Sequence, residues 1–209
     1  MITIATVLKC GGDYTTYHVE VLKRSIGIHI NCEFKFVCLT DVYSCNFEKI
    51  KLVENWPTWW SKMELFKLKG PLIYFDLDTI IVGSLGPIVD VAKNHKFSIL
   101  RDAFQGKKNP NAMQSSVMAW NGDMTYLYEK FKKNDKHIIK SLHGDQSYIS
   151  REIDPKTVTF FQDVLPETLL SYKADINGKS IPKNTSIVFF HGLPRPWQQN
   201  KIPYDNIKK

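Results

Sequence analysis

No stretch of this sequence is apolar for long enough to cross a bilayer. The longest runs, such as Ile187-Val188-Phe189-Phe190, fall far short of the roughly 20 residues a spanning helix needs. A basic n-region is missing as well: Met1 leads directly into the strand-like Ile2-Thr3-Ile4-Ala5-Thr6-Val7-Leu8, so no signal peptide is expected. C-x-x-C pairs are missing among Cys10, Cys32, Cys38 and Cys45, and no His is placed so as to suggest a zinc site with them. Without an export signal, the four cysteines read as reduced thiols in the cytoplasm. Arginine-rich stripes, helix-turn-helix patterns and aromatic-interleaved basic runs are lacking, which leaves no recognisable reader of nucleic acid. Internal repeats and low-complexity linkers are also lacking, so the 209 residues are expected to form one domain, 1–209.

What is present favours a packed core. Apolar residues make up 43% and charged residues 23%, a globular balance, and the formal charge of +7 favours an anionic partner without choosing one. Thr3 to Leu8 reads as a buried strand, broken by Gly11-Gly12-Asp13. Tyr14 to Ile26 has near-helical apolar spacing, and Glu33 to Leu39 is a second strand ending at Thr40-Asp41. Strand, helix, strand opens a parallel α/β sheet, and a mostly parallel central sheet flanked by helices is the expected architecture. Pro57 is expected to start a helix over Trp56 to Phe66, closed by Gly70-Pro71. Leu72-Ile73-Tyr74-Phe75 follows as a short, wholly apolar strand. Further strands are expected over Phe97–Leu100, Ser116–Trp120, Thr157–Phe161 and Ile187–Phe190, with a helix over Met124–Lys133.

The most informative residues are Asp76-Leu77-Asp78, two carboxylates leaving that apolar strand. Carboxyl ends of strands are where α/β sheets bind ligands. Two unpaired acids there repel each other and are costly to desolvate, and a hard divalent cation such as Mn²⁺ or Mg²⁺ relieves both problems while taking phosphate oxygens. The alternative is a phosphatase of the haloacid dehalogenase type, with Asp76 as nucleophile. Against it, a full strand-helix-strand unit precedes the motif, Thr79 follows Asp78 without the usual intervening residue, and Gly144-Asp145-Gln146 supplies only one late acid.

With its surroundings, the acidic motif resembles the GT-A (Rossmann-like) nucleotide-sugar transferases, above all those related to glycosyltransferase family 8. Four further segments carry the likeness: Trp60-Ser61-Lys62-Met63-Glu64-Leu65-Phe66, Gln114-Ser115-Ser116-Val117-Met118-Ala119-Trp120-Asn121, His143-Gly144-Asp145-Gln146 and His191-Gly192-Leu193-Pro194-Arg195-Pro196-Trp197. The last departs from the family's H-x-x-G-x-x-K-P-W in two ways: Gly192 directly follows His191, and Arg195 replaces Lys, keeping the charge in a form that grips phosphate bidentately.

The resemblance implies a glycosyltransferase with Mn²⁺ or Mg²⁺ as cofactor and a UDP-sugar as donor. Asp76, Asp78 and His191 would hold the metal, with Leu77 and Gly192 beside them. Arg195 and Lys62 would meet the diphosphate, and Gln114 and Ser115 the donor sugar. Asp145 and Gln146 would stand at the reaction centre: Gln146 supports the sugar if configuration is retained, the outcome the family favours, and Asp145 is the base if it is inverted. Thr6, Val7 and Leu8 through their backbone, Tyr14 or Tyr17 by stacking, and Asp41 at the second strand's end would meet the nucleoside. Trp56, Trp59 and Trp60 are expected to be packing residues. The acceptor implied is a glycan or glycoprotein. The tryptophan-rich segment and the late His-Gly motif also look like those of chlorella-virus enzymes that decorate the major capsid protein, which would make the acceptor a viral capsid glycan built in the host cytoplasm.

Overall fold

Side chains in an extended chain alternate between faces, so one buried strand can feed two cores. The strand β1 (Ile2–Leu8) does this: Ile2, Ile4 and Leu8 enter one apolar cluster and Ala5 the other. The computed structural model describes residues 1–204, and residues 205–209 of the expected domain lie outside the described residues. After β1 come α1 (Thr16–His29), β2 (Phe34–Thr40) and β3 (Lys49–Lys51), then a 3-10 helix over Thr58–Lys67. The strands β4 (Leu72–Phe75) and β5 (Thr79–Ile81) flank the acidic motif and lead to α2 (Gly86–Asn94), β6 (Phe97–Arg101) and β7 (Met113–Trp120). The rest is α3 (Thr125–Lys133), α4 (Asp135–Ser141), α5 (Asp145–Glu152), β8 (Thr159–Phe160), α6 (Phe161–Val164), β9 (Leu169–Ser171) and β10 (Ile187–Phe189).

Seven strands form the main sheet in the order β3-β2-β1-β4-β7-β6-β8. It is mostly parallel, as expected, with β7 antiparallel to both of its neighbours. The helices α1 and α2 cover one face, packing Val19, Leu22, Ile26, Ile88 and Val89 on Ile4, Ile73 and Val117. The 3-10 helix, α3 and α5 cover the other, packing Trp60, Met63, Phe66, Phe131 and Tyr148 on Tyr74, Met118 and Trp120. A smaller sheet, β5-β10-β9, grows from the acidic turn, and β10 runs antiparallel to β5 and parallel to β9. Among the described residues no helix is long and apolar enough to cross a membrane.

The structure corrects two sequence expectations and adds one element. Pro57 does not lie inside the helix: it is the extended residue before it, at φ −76° and ψ 146°. The strand expected over Thr157–Phe161 shrinks to Thr159–Phe160, because Pro155–Thr157 forms a 3-10 turn and Phe161 already starts α6. The small sheet was not foreseen. Its strands are three residues each, too short for periodicity to reveal, and they pair only once the chain returns from far along the sequence.

One buried charge anchors the 3-10 helix that carries Lys62. Glu64 is fully buried, accepting the Val53 amide at both oxygens (3.0 and 3.1 Å) and the Glu54 amide at 2.8 Å, with Lys67 as its counter-ion at 2.5 Å. Glu64→Ala strips these amides of their acceptor. It should lower stability by about 2–3 kcal/mol, the cost of leaving polar groups unpaired. Urea denaturation should show this as a lower midpoint with an unchanged slope.

Candidate active site

A cavity of about 440 Å³ lies at the carboxyl ends of β1, β4 and β10. Its walls come from Val7 and the Lys9–Tyr14 loop, from Thr58, Trp59, Ser61 and Lys62, from Tyr74 and the Asp76–Asp78 turn, from Gln114 to Ser116, from Asp145 and Gln146, and from Phe190 to Gly192 with Arg195. Parallel strands place their following loops at one end of the sheet. The antiparallel β7 adds its own first residues to the same end. Between Ile99 and Leu100 the β6–β7 register jumps, so Ser115 to Val117 leave that ladder, and Ser115 and Ser116 line the cavity.

Asp76 is the first residue beyond β4, fixed by its amide donating to the Ser116 carbonyl at 2.8 Å. Its carboxylate accepts from the Tyr74 hydroxyl, two residues back on the same face, and from Lys62 Nζ at 2.9 and 3.0 Å. Lys62 also meets Asp145 Oδ2 at 3.2 Å, and Ser115 Oγ donates to the same oxygen at 2.6 Å. Burial works to lower the Lys62 pKa, but the charges of Asp145 and Asp76 overcome it and leave the pKa raised. Tyr74 is pushed well up, by burial first and the Asp76 charge second, so it stays a donor. Asp145 is buried and turned to the cavity; Gly144, not Asp145, occupies the N-cap of α5.

Asp78 belongs to a second cluster. Its Oδ2 accepts from the Tyr14 hydroxyl at 2.8 Å and from Arg195 Nη1 at 3.2 Å. Arg195 Nη1 also reaches the Tyr14 oxygen at 2.8 Å, and its Nη2 reaches Asp13 at 3.0 Å. The guanidinium lies 5.2 Å from the Tyr14 ring centroid. Its Nε is buried with no hydrogen-bond partner among the described residues. Burial and the Asp76 charge raise the Asp78 carboxyl to about 6, against the pull of Tyr14, Lys62 and Arg195.

The small sheet delivers the last group. The Phe190 amide donates to the Asp78 carbonyl at 3.2 Å, which brings the end of β10 beside the acidic turn and His191 into the cavity wall. His191 Nε2 sits 2.9 Å from Ser171 Oγ, and burial followed by the Lys173 charge lowers its pKa, keeping the imidazole neutral at pH 7. Gln146 Nε2 donates to Asp102 at 3.2 Å, and the Gln114 amide folds back on Ser116.

The donor set suits a hard divalent cation in kind: two carboxylates and a neutral imidazole line one cavity, and Asp78 stays desolvated beside a second acid. Among the described residues, however, no three such groups converge as a ready-made cation site. The protein's own cations, Lys62 and Arg195, hold the carboxylates instead.

Of the residues singled out in the sequence, Val7, Tyr14, Lys62, Asp76, Leu77, Asp78, Gln114, Ser115, Asp145, Gln146, His191, Gly192 and Arg195 line the cavity. Thr6, Leu8, Tyr17 and Asp41 do not. Thr6 is buried and donates to the Phe75 carbonyl at 2.8 Å, and Leu8 is in the core. Tyr17 is exposed away from the cavity, and Asp41 braces the loop after β1 through the Cys10 amide at 2.8 Å and Lys9 at 2.7 Å. Sequence reasoning missed Tyr74, whose hydroxyl in an otherwise apolar strand was the available signal, and Asp13, which follows two glycines at a strand end. It also treated three tryptophans alike. Trp56 and Trp60 pack around Phe131 at 4.7 and 5.3 Å, whereas Trp59 is 51% exposed on the cavity wall.

No family model and no curated relative matches the chain. Its likenesses are structural. The galactosyltransferase LgtC, solved with donor and acceptor sugar analogues, superposes with a TM-score of 0.65 at 14% identity, over 94% of this chain and 89% of that one. The glycosyltransferase GlyE of Streptococcus pneumoniae TIGR4 gives 0.72 at 14% identity, over 97% of this chain and 58% of that one. The bifunctional glycosyltransferase WbbM gives 0.63 at 14%, over 94% and 46%. This chain therefore spans a little over half of GlyE and less than half of WbbM. At such identities the agreement establishes the fold, that of the GT-A glycosyltransferases.

Lys62→Met leaves Asp76 and Asp145 facing each other without their shared counter-ion. The loss should be about 3–5 kcal/mol, as for other buried pairs broken from one side. Adding Asp145→Asn to that variant should recover part of it in thermal or urea melts.

Proposed function

We propose that this chain is a glycosyltransferase that moves a sugar from a UDP-sugar onto a hydroxyl of a glycan or glycoprotein, using Mn²⁺ or Mg²⁺. The observation that carries this reading is the pairing of two acids at the end of β4 with two cations, Lys62 and Arg195, in one cavity of a GT-A fold. A donor diphosphate and a divalent cation together match that charge pattern. The four free thiols suit a reducing compartment, which keeps the cytoplasm as the proposed location. A viral capsid glycan remains one acceptor class to assay.

A cation held by Asp76, Asp78 and His191 would neutralise the charge that builds on the leaving diphosphate. Arg195 adds fixed positive charge, and its unpartnered Nε gives it a donor to turn towards a phosphate oxygen. Lys62 holds Asp145 and Asp76 at a set separation, so the acids do not drift apart when the donor enters. The Gln146 amide nitrogen is taken by Asp102, which leaves its carbonyl oxygen as the electron-rich end for an oxocarbenium-like sugar. Asp145 Oδ2 is already engaged by Ser115 and Lys62. This arrangement favours front-face attack with retention, Gln146 supporting the sugar, over general-base catalysis by Asp145. The GT-A fold supports this reading over a phosphatase with Asp76 as nucleophile.

Isothermal titration should show UDP binding that requires Mn²⁺ and that Asp78→Asn weakens by about tenfold or more, the loss of one strong polar contact. Arg195→Ala should act in two directions. It frees Asp78 of a competing cation, so Mn²⁺ alone binds more tightly, yet it removes a phosphate partner, so UDP with Mn²⁺ binds more weakly. Binding of GDP but not UDP would overturn the donor assignment, and metal-independent binding would overturn the role of Asp76 and Asp78.

A further inference from the structure

We propose that Trp59 is the platform for the acceptor, a stacking surface for the apolar face of a neutral pyranose ring. The inference deepens the transferase reading and rests on it. Of the tryptophans, Trp56, Trp60 and Trp120 are buried, and Trp197 packs on His18 at 4.4 Å and on Tyr14 at 5.7 Å. Trp59 alone stays half exposed on the cavity wall. A large apolar surface kept in water beside a ligand cavity is unfavourable until something covers it.

Two backbone features hold the indole there. Thr58, the residue before it, sits at φ +47°, an outlier for a β-branched side chain, and such strain persists where surrounding structure enforces it. On the other side lies Gly144, where an added Cβ would meet Trp59 Nε1 at 3.0 Å and Cδ1 at 3.3 Å. The indole edge therefore packs directly against the backbone that leads into Asp145. Gly144 has an extended φ of 174°, open to any residue, so close packing by Trp59 is the constraint on its side chain.

The occupant follows from the chemistry of the walls. Asp76, Asp78, Lys62 and Arg195 supply the charge that suits a diphosphate and its cation. Trp59 instead offers an uncharged aromatic face beside Asp145 and Gln146, where the sugar is transferred in the proposed reaction. A pyranose has one face of C–H groups and a rim of hydroxyls, so it can cover the indole while the hydroxyls meet polar neighbours. A uracil base would also stack, but the proposed nucleoside wall is at Val7 and Tyr14, on the β1 side.

The test uses the methyl pyranosides of gluco, galacto, manno and xylo configuration as probes, added to protein saturated with UDP and Mn²⁺. Indole emission and saturation-transfer NMR report sugar binding, and calorimetry reports UDP. At least one pyranoside should blue-shift or quench the emission. Trp59→Phe should abolish this optical change but keep the NMR signal, and Trp59→Ala should weaken sugar binding about tenfold, as losing one anchoring aromatic does. Gly144→Ala, which displaces the indole without removing it, should fall between. UDP affinity should be the same in all. Sugar binding untouched by Trp59→Ala, or no response to any pyranoside, overturns the platform. Loss of UDP together with sugar in Trp59→Ala assigns the indole to the base and overturns it too. If wild type binds pyranosides through Trp59 but no nucleotide, the platform stands and the transferase reading falls.

Discussion

Lys62 is the constraint on which the site depends. Asp76 and Asp145 lie far apart in sequence, yet both carboxylates meet one ammonium at 2.9–3.2 Å. Each acid alone would be costly in a partly dry cavity, and the lysine alone would be pulled towards its neutral form by burial. Together they form a chain running from Tyr74 through Asp76, Lys62 and Asp145 to Ser115. That chain joins β4, the 3-10 helix, α5 and β7, so the charged site also fixes how these elements meet. Glu64, two residues on from Lys62, secures the same helix from behind.

The second acid is governed differently. Asp78 is held by a tyrosine and an arginine from opposite ends of the chain, and the arginine bridges on to Asp13. Where Lys62 is enclosed by two carboxylates, Arg195 keeps a buried Nε without a partner. One side of the cavity is thus fully satisfied, and the other holds a donor in reserve. In the proposed reaction this is the useful asymmetry: a rigid side that orients the sugar, and an adjustable side that exchanges a carboxylate for a phosphate. Trp59 then marks a third side, uncharged and open, to which the acceptor is assigned.

Much of this was legible in the sequence. The Asp76-Leu77-Asp78 motif follows an apolar strand and the chain opens strand-helix-strand, as the residue pattern indicates, and the late His-Gly segment lines the same cavity as the two acids. Thr6 and Leu8 show the limit of that reading. A buried β1 residue and a cavity-lining one look alike in a β-branched run, and only strand pairing on both sides decides that Val7 reaches the cavity. Trp56, Trp59 and Trp60 show it again. Adjacent aromatics carry the same packing preference, yet Trp59, directly after the left-handed Thr58, is half exposed while Trp56 and Trp60 are buried.

The sequence by itself determined what local physics can set: which segments are apolar enough to become buried strands, where glycines and prolines interrupt them, and which strand ends carry acid. Tertiary structure decided which distant charges would share a counter-ion, because ion pairing depends on separations in space that the order of residues does not encode. It decided as well that the return of β10 onto β5 would bring His191 to the acidic turn. Three-residue strands have no stable pairing of their own, so their partners are chosen by the fold that surrounds them.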